Sequence, residues 1–308
     1  MPDGDSTSSD PGVIRPIPGR PARTGPGAFY ELTKPGITGY VMITAGAGAY
    51  VATHGQLPMA TAIHTMVGTG LATGGALALN QYVEREVDAV MVRTRVRPIP
   101  SGRVDALHAL AFGGAMLWLG LTYLILLVGW LPAALVALSG AIYHGVYTPL
   151  KTRSYLATLS GAVPGALPAL IGWGAATGRI EAGGVALFAI AYLWQLPHVM
   201  GLGWMLREDY ARVGFKLLPR PEGDGRVVAR HMVAYAALLV PASALPSILG
   251  YTGPVFLVGA LAASTAFLGV CVRALPAVND RSARRVFFSS LLYHPVLLVF
   301  ILLDTLPG

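Results

Sequence analysis

Apolar residues fall in long runs along this chain, and the runs do not alternate with polar positions. Nine stretches of about 18 residues or more are nearly free of charge: 36–54, 58–79, 105–128, 131–148, 155–177, 182–203, 229–249, 253–273 and 286–305. A helix needs about 20 such residues to cross the ~30 Å hydrocarbon core of a bilayer. Strands of a membrane barrel would alternate apolar and polar side chains over roughly ten residues. The pattern predicts an all-α, polytopic membrane protein, a bundle of nine transmembrane helices. Polar side chains are left to the connections, so ionic chemistry belongs at the ends of the bundle.

Composition agrees: of 308 residues 54% are apolar and only 12% charged. The placement of charge adds an orientation. Every Lys and Arg except Arg179 lies before the first run or in a connection that follows an even-numbered one, counting Arg230 and Arg273 at the run edges with those connections. Positive charge stays on the cytoplasmic side of a membrane, so the amino terminus is expected there and the carboxyl end outside. The net charge of +7 is then a one-sided basic surface. It does not indicate a nucleic-acid partner, because no aromatic-interleaved basic motif or soluble domain accompanies it. The single Cys271 excludes an internal disulfide framework. Residues 1–28, rich in Pro, Gly, Ser and Thr, read as a disordered cytoplasmic tail ahead of a membrane domain over 29–308, and not as a secretory signal.

Two features within the runs bear on packing. Glycines at Gly68, Gly70, Gly74 and Gly75, and again from Gly161 to Gly174, suit close helix approach. Pro164, Pro168 and Pro197 should kink their helices and free backbone groups that a protein-lined cavity can accommodate.

Residues 80–103, NQYVEREVDAVMVRTRVRPIPSGR, concentrate charge against apolar sequence on both sides. Asn80, Glu84 and Asp88 recur at every fourth position. On a helix they would drift by only ~40° per step and stand ~6 Å apart along the axis. One face would then offer an amide oxygen and two carboxylates, hard ligands of the kind Mg²⁺ takes together with substrate phosphates and water. The alternative is a solvated helix end in which Glu84 and Asp88 pair with neighbouring arginines. Arg93, Arg95 and Arg97 follow before the rigid Pro98–Ile99–Pro100, and guanidinium forks suit phosphate oxygens. A second segment, 147–153, ends the fourth run with Tyr147, Lys151 and Arg153. A third joins Trp194, Gln195, Pro197 and His198 inside the sixth run to Arg207, Glu208 and Asp209 at its exit. Asp209 would be a further metal carboxylate. His198 is either a hydrogen-bonded structural imidazole or a ligand facing a cavity.

These pieces resemble the protohaem IX farnesyltransferases, within the wider UbiA superfamily of intramembrane aromatic prenyltransferases. The resemblance rests on residues 80–98, YTPLKTRS at 147–154, the Gly/Pro stretch 161–178, WQLPH at 194–198 and EDYARVG at 208–214, and it covers roughly 30–300. The sequence departs from the family at Glu84, where aspartate is usual, at Leu196, where proline is usual, and at Lys216–Leu217–Leu218–Pro219. Valine at 213, four residues past Asp209, argues against the second Asp-x-x-x-Asp of a general quinone prenyltransferase.

The resemblance implies transfer of a farnesyl group from farnesyl diphosphate to the 2-vinyl group of haem b with addition of water, giving haem O. A related enzyme acting on a quinone-ring precursor is the alternative. It further implies Mg²⁺ held by Asn80, Glu84, Asp88 and Asp209, with Arg93, Arg97, Lys151 and Arg153 binding the diphosphate. Tyr147 would face the allylic cation and His198 would bind haem. The cell membrane (the cytoplasmic membrane in a bacterium) is the implied location, and haem A synthase or terminal-oxidase assembly factors are the implied partners.

Overall fold

A computed structural model describes residues 25–220 and 225–307, and these are helical apart from their connections and one bridge between Thr252 and Thr305. The chain begins with α1 (Pro26–Leu32), α2 (Pro35–Ala52), α3 (Met59–Val83), α4 (Arg85–Val90) and α5 (Ala106–Leu127). Next, α6 (Trp130–Ile142) runs through a π turn (Tyr143–Tyr147) into the short α7 (Thr148–Leu150). The remainder is α8 (Leu156–Thr177), α9 (Ala182–Met205), α10 (Arg207–Arg212), α11 (Arg226–Ile248), α12 (Pro254–Val272) and α13 (Asp280–Asp304).

Eight of these segments are long and apolar enough to cross a membrane: α3, α5, α6 continued through α7, α8, α9, α11, α12 and α13. Helix α2 has 18 residues and packs on α3 and α8. The protein is a multi-pass membrane protein, and Trp118, Leu126, Trp130 and Leu303 stand exposed on its sides, as lipid contact requires. Helix α13 starts six residues before the apolar run that predicted it. Its beginning is set by a capping box, in which the Asn279 side chain accepts from the Ser282 N–H and Ser282 Oγ accepts from the Asn279 N–H, both at 2.9 Å. Three residues assigned to the tail by composition, Pro26 to Ala28, instead open α1, where Ala28 is fully buried. The rest of that expected tail, 1–24, lies outside the described residues.

Small residues do let helices touch backbone to backbone. A Cβ on Gly172 of α8 would sit 1.8 Å from the Ala45 carbonyl oxygen of α2, and one on Gly48 would sit 2.1 Å from that of Ala169. Any larger residue at either position would force α2 away from α8.

Cross-links sort the connections into two ends. At one end Asp209 bonds the Val92 and Arg93 amides, Lys151 pairs with Glu84, Arg207 with Asp280, and Arg103 with Glu31 of α1. At the other, His54 reaches the Leu306 carbonyl, Trp173 reaches Glu181, and the Gly253 amide reaches the Asp304 carbonyl. The charged segments singled out in the sequence share the first end.

Candidate active site

Helix α3 carries its apolar pattern to Asn80 and then stops at Val83. Glu84, with φ −93° and ψ 7°, is the hinge from which α4 restarts. Backbone bonds bridge the break, from the Glu84 amide to the Asn80 carbonyl (2.9 Å) and from the Asp88 amide to the Glu84 carbonyl (2.7 Å). The four-residue spacing therefore survives, on a bent helix. The solvated-end reading fails because Asn80, Glu84 and Asp88 are all buried. Its second half, pairing with cations, is what the structure contains.

Each carboxylate has its own donors. Arg97 Nη1 donates to Asp88 Oδ1 and Oδ2 at 2.7 and 2.6 Å. The Lys151 ammonium pairs with Glu84 Oε1, while Asn80 Nδ2 donates to Glu84 Oε2 at 3.0 Å. Asp209, on α10, accepts the Val92 and Arg93 amides, both at 3.1 Å, and so clasps the arginine-bearing segment against the bundle. Thr94 Oγ1 donates to the Asp88 carbonyl at 2.9 Å, and Arg103 forks onto Glu31 at 2.8 and 3.1 Å. The loop from Met91 to Arg103 is thus tied down from both sides.

Because the acids are spoken for separately, no group of three His, Cys, Asp or Glu side chains among the described residues forms a ready-made metal cage. Of the side-chain oxygens of Asn80, Glu84 and Asp88, one is left over. Asn80 Oδ1 is buried and has no hydrogen-bond partner among the described residues, a state that costs on the order of 1–3 kcal/mol unless something fills it. This orphan oxygen beside Glu84 is what a hard divalent cation would use.

Aromatic rings surround the Lys151 ammonium, which lies 4.4 Å from the centre of the Tyr147 ring and 5.5 Å from that of Phe215. Tyr147 reaches this position because residue 161 is glycine: a Cβ there would lie 2.7 Å from the Tyr147 ring. The π turn holds Tyr143 and Tyr147 with ring centres 5.3 Å apart. Such turns recur at functional sites. Burial resists ionisation of Glu84, but Lys151, Asn80 and Lys34 outweigh it and hold the carboxyl below its ordinary 4.5.

Other expected residues stand apart. Arg153 is exposed and makes no ion pair among the described residues, and the Arg93 side chain is exposed although its amide is clasped. His198 belongs to a different layer. Its Nδ1 is 2.7 Å from Ser290 Oγ, and its ring lies between Trp194 (5.5 Å) and Phe287 (4.8 Å). Trp194 Nε1 donates to the Ser290 carbonyl at 2.8 Å, and Gln195 Nε2 to the Ala162 carbonyl at 2.5 Å. This segment therefore stitches α9 to α13 and α8.

The same bundle holds an apolar cavity of about 160 Å³ lined by Tyr143, Gly161, Pro168 and Ile171, and an ionic cluster with such a cavity suits an amphipathic phosphorylated substrate. The profile of the UbiA prenyltransferase family matches residues 41–292. The chain belongs to that family. It is an enzyme of the UbiA prenyltransferase type. It is 42% identical over 293 residues to a protohaem IX farnesyltransferase of Solibacter usitatus (strain Ellin6076), covering 91% of this chain and 99% of that one. It is 43% identical to the protein of the same name from Anaeromyxobacter sp. (strain Fw109-5), covering 88% and 91%. Among solved structures, a digeranylgeranylglyceryl phosphate synthase superposes with a TM-score of 0.76 at 17% identity, over 90% of this chain and 97% of that one. A UbiA homologue from Archaeoglobus fulgidus bound to GPP and Mg²⁺ superposes with a TM-score of 0.63 at 13% identity, over 89% and 99%. At those identities the structures speak for the fold.

One residue of this prenyltransferase's site was read in the sequence only as an orientation charge. Lys34, between α1 and α2, has a left-handed backbone (φ 46°, ψ 66°). The following Pro35 disfavours the right-handed helical region for it. Burial, then Arg97 and Lys151, push its ammonium down to about 7 against the opposing pull of Glu84 and Asp88. The free enzyme therefore loses this charge as pH rises through about 7, and a bound diphosphate draws the proton back. Affinity for a prenyl diphosphate should weaken by up to about tenfold per pH unit above 7. In Lys34→Arg, which stays charged, calorimetric titrations from pH 7 to 9 should lose that slope. An equal slope in both proteins would remove Lys34 from the site.

Proposed function

We propose that the protein is a haem O synthase, transferring the farnesyl group of farnesyl diphosphate to the 2-vinyl group of haem b with addition of water. The observation that carries this reading is the buried ionic cluster, gathered from separate chain segments at one end of a bundle that also holds an apolar cavity lined by Tyr143. The relatives sharing 42–43% identity over nearly their whole length are protohaem IX farnesyltransferases.

The chemistry begins with breakage of the allylic C–O bond, whose electron pair leaves with the diphosphate. Lys151 and Arg97, already held by Glu84 and Asp88, would receive that developing charge with little reorganisation. Arg93 and Arg153, on the exposed rim, would meet the diphosphate as it enters. Asn80, Glu84, Asp88 and Asp209 would hold Mg²⁺, with Asn80 Oδ1 the oxygen that now lacks a partner. When bound, Mg²⁺ supplies further neutralisation of the leaving group. Tyr147 and the apolar walls would keep water from the allylic cation until the terminal vinyl carbon bonds to it. Water then adds to the carbon next to the porphyrin ring and releases a proton, which balances the reaction.

Helix α2 is the ninth crossing in this reading, so the amino terminus and the ionic end face the cytoplasm. His198 would contact haem through its remaining nitrogen, since Ser290 occupies Nδ1.

Purified protein given farnesyl diphosphate, Mg²⁺ and either haem b or 4-hydroxybenzoate tests the assignment. Mass spectrometry should find the farnesylated, hydrated haem and no prenylated benzoate. The reverse product pattern would reject haem as the acceptor.

A further inference from the structure

Two cations of the ionic end arrive on segments far apart in the chain. Lys34 sits in the turn between α1 and α2, and Arg97 in the loop from Met91 to Arg103. They oppose each other: after burial, Arg97 and then Lys151 push the Lys34 ammonium down, while Glu84 and Asp88 draw it up. Asp88 is already bonded to Arg97, and Glu84 to Lys151. The charges themselves therefore do little to keep the turn beside the loop.

A second contact does so. Arg103 Nη1 and Nη2 donate to Glu31 Oε2 and Oε1 at 2.8 and 3.1 Å. Glu31 lies three residues before Lys34, and Arg103 six after Arg97. The same guanidinium donates to the Val96 carbonyl at 2.6 Å and, through Nε, to Ser101 Oγ at 3.0 Å. It thus gathers the loop on both sides of Arg97 while holding α1. The two segments also share apolar contacts, since Ala28 and Leu32 of α1 cluster with Ile99 and Val104 of the loop. The buried Gln81 of α3 donates to the Leu32 carbonyl at 2.8 Å and fixes the turn from below. A forked guanidinium–carboxylate pair sets orientation as well as distance. The Arg103 and Glu31 side chains are 12% and 39% exposed, so the pair adds little to overall stability. Geometry is what it supplies.

We propose that Glu31 and Arg103 are positioning residues for the donor diphosphate: their fork locks the Lys34 turn to the Arg97 loop and holds two mutually repelling cations ready in the empty site. The inference rests on the prenyltransferase reading and adds to it two residues that act without touching the donor. Charge already in place needs no rearrangement when the ligand arrives, and a misplacement of about 1 Å can cost about a hundredfold.

Calorimetric titration of farnesyl S-thiolodiphosphate with Mg²⁺ into the full-length protein in lipid nanodiscs, from pH 6 to 9, tests this without haem. Glu31→Gln keeps the shape of the side chain, and Arg103→Lys keeps the charge but loses the fork, so both should melt close to the parent. At pH 6, where Lys34 is largely charged in every protein, Glu31→Gln should bind the analogue about tenfold to a hundredfold more weakly. Arg103→Lys should fall between it and the parent. The pH dependence should change too. Without the fork the turn and loop part, and Lys34 gains water and moves away from Arg97. Both changes favour its charged form, so the affinity of the variants should stay level to pH 9 while that of the parent falls. The curves should converge as pH rises. A loss that is equal at every pH, or parent-like affinity and slope in folded Glu31→Gln, would overturn the clasp and leave the enzyme reading intact. Loss of folding in both variants would assign the pair to stability and overturn it as well. Failure of the unaltered protein to bind the analogue at any pH would overturn both the clasp and the enzyme reading.

Discussion

Asp88→Asn should lower turnover at least about a hundredfold to a thousandfold, the usual loss when one preorganised electrostatic group is removed, and leave the helical bundle folded. Asp88 is fully buried and accepts both bonds from Arg97 Nη1. Asparagine keeps the volume and one oxygen acceptor, but it removes the negative charge that fixes Arg97 and that a cation would need. Truncating one partner of a buried pair costs about 3–5 kcal/mol when the other charge is stranded. Arg97 is partly exposed (18%), so water can reach it and the loss of stability should be smaller than that. Steady-state rates at saturating farnesyl diphosphate and haem b, alongside a thermal melt, separate the two effects. Near-normal turnover in the folded variant would remove Asp88 from the reaction.

Lys151→Met should be as damaging to turnover and should also change the response to acid. The Lys151 side chain is 6% exposed, pairs with Glu84, and sits over the Tyr147 ring. Removing the ammonium takes away a direct donor to the leaving diphosphate, a loss of about 10²–10³ in rate. It also takes away the main opposition to the burial of Glu84. In the parent, Glu84 is held below 4.5, so its stabilising contribution is complete above pH 4.5 and fades only as pH falls through the lower folded value. In Lys151→Met, burial dominates and the carboxyl rises above 4.5. The residual activity should then decline on acidification well before that of the parent. Rate–pH profiles from 5 to 8 would show this, and superimposable profiles would mean that Glu84 does not depend on Lys151.

Much of the fold was legible because hydropathy alone drives it: eight of the nine apolar runs coincide with segments long and apolar enough to cross a membrane, and the first, 36–54, with the 18-residue α2, with ends moved by caps such as Asn279–Ser282 that hydropathy does not register. The acidic trio was legible because its four-residue period survives the break at Glu84. The break itself was not, since nothing in EREVD announces a hinge. Pairing was also hidden. Which arginine meets Asp88 depends on how the loop from Met91 to Arg103 folds, and that is fixed by tertiary bonds to Asp209 and Glu31. Lys34 looked like an ordinary anchor at a membrane boundary, and only the fold carries it to Arg97 and Lys151. Tyr143 enters the cavity through a π turn, for which the sequence around Tyr143 to Tyr147 carries no signature. His198 shows the opposite case. Its sequence context marked it as functional, and the structure shows that the same context also builds a stitch between α9 and α13.

A structure of the protein with farnesyl S-thiolodiphosphate and Mg²⁺ bound tests the central claim most directly. The diphosphate should lie between Lys151 and Arg97 on one side and Asn80, Asp88 and Asp209 on the other, with the tail running down past Tyr143 toward Ile171. A diphosphate bound at the opposite end of the bundle, or held by none of these side chains, would contradict the account.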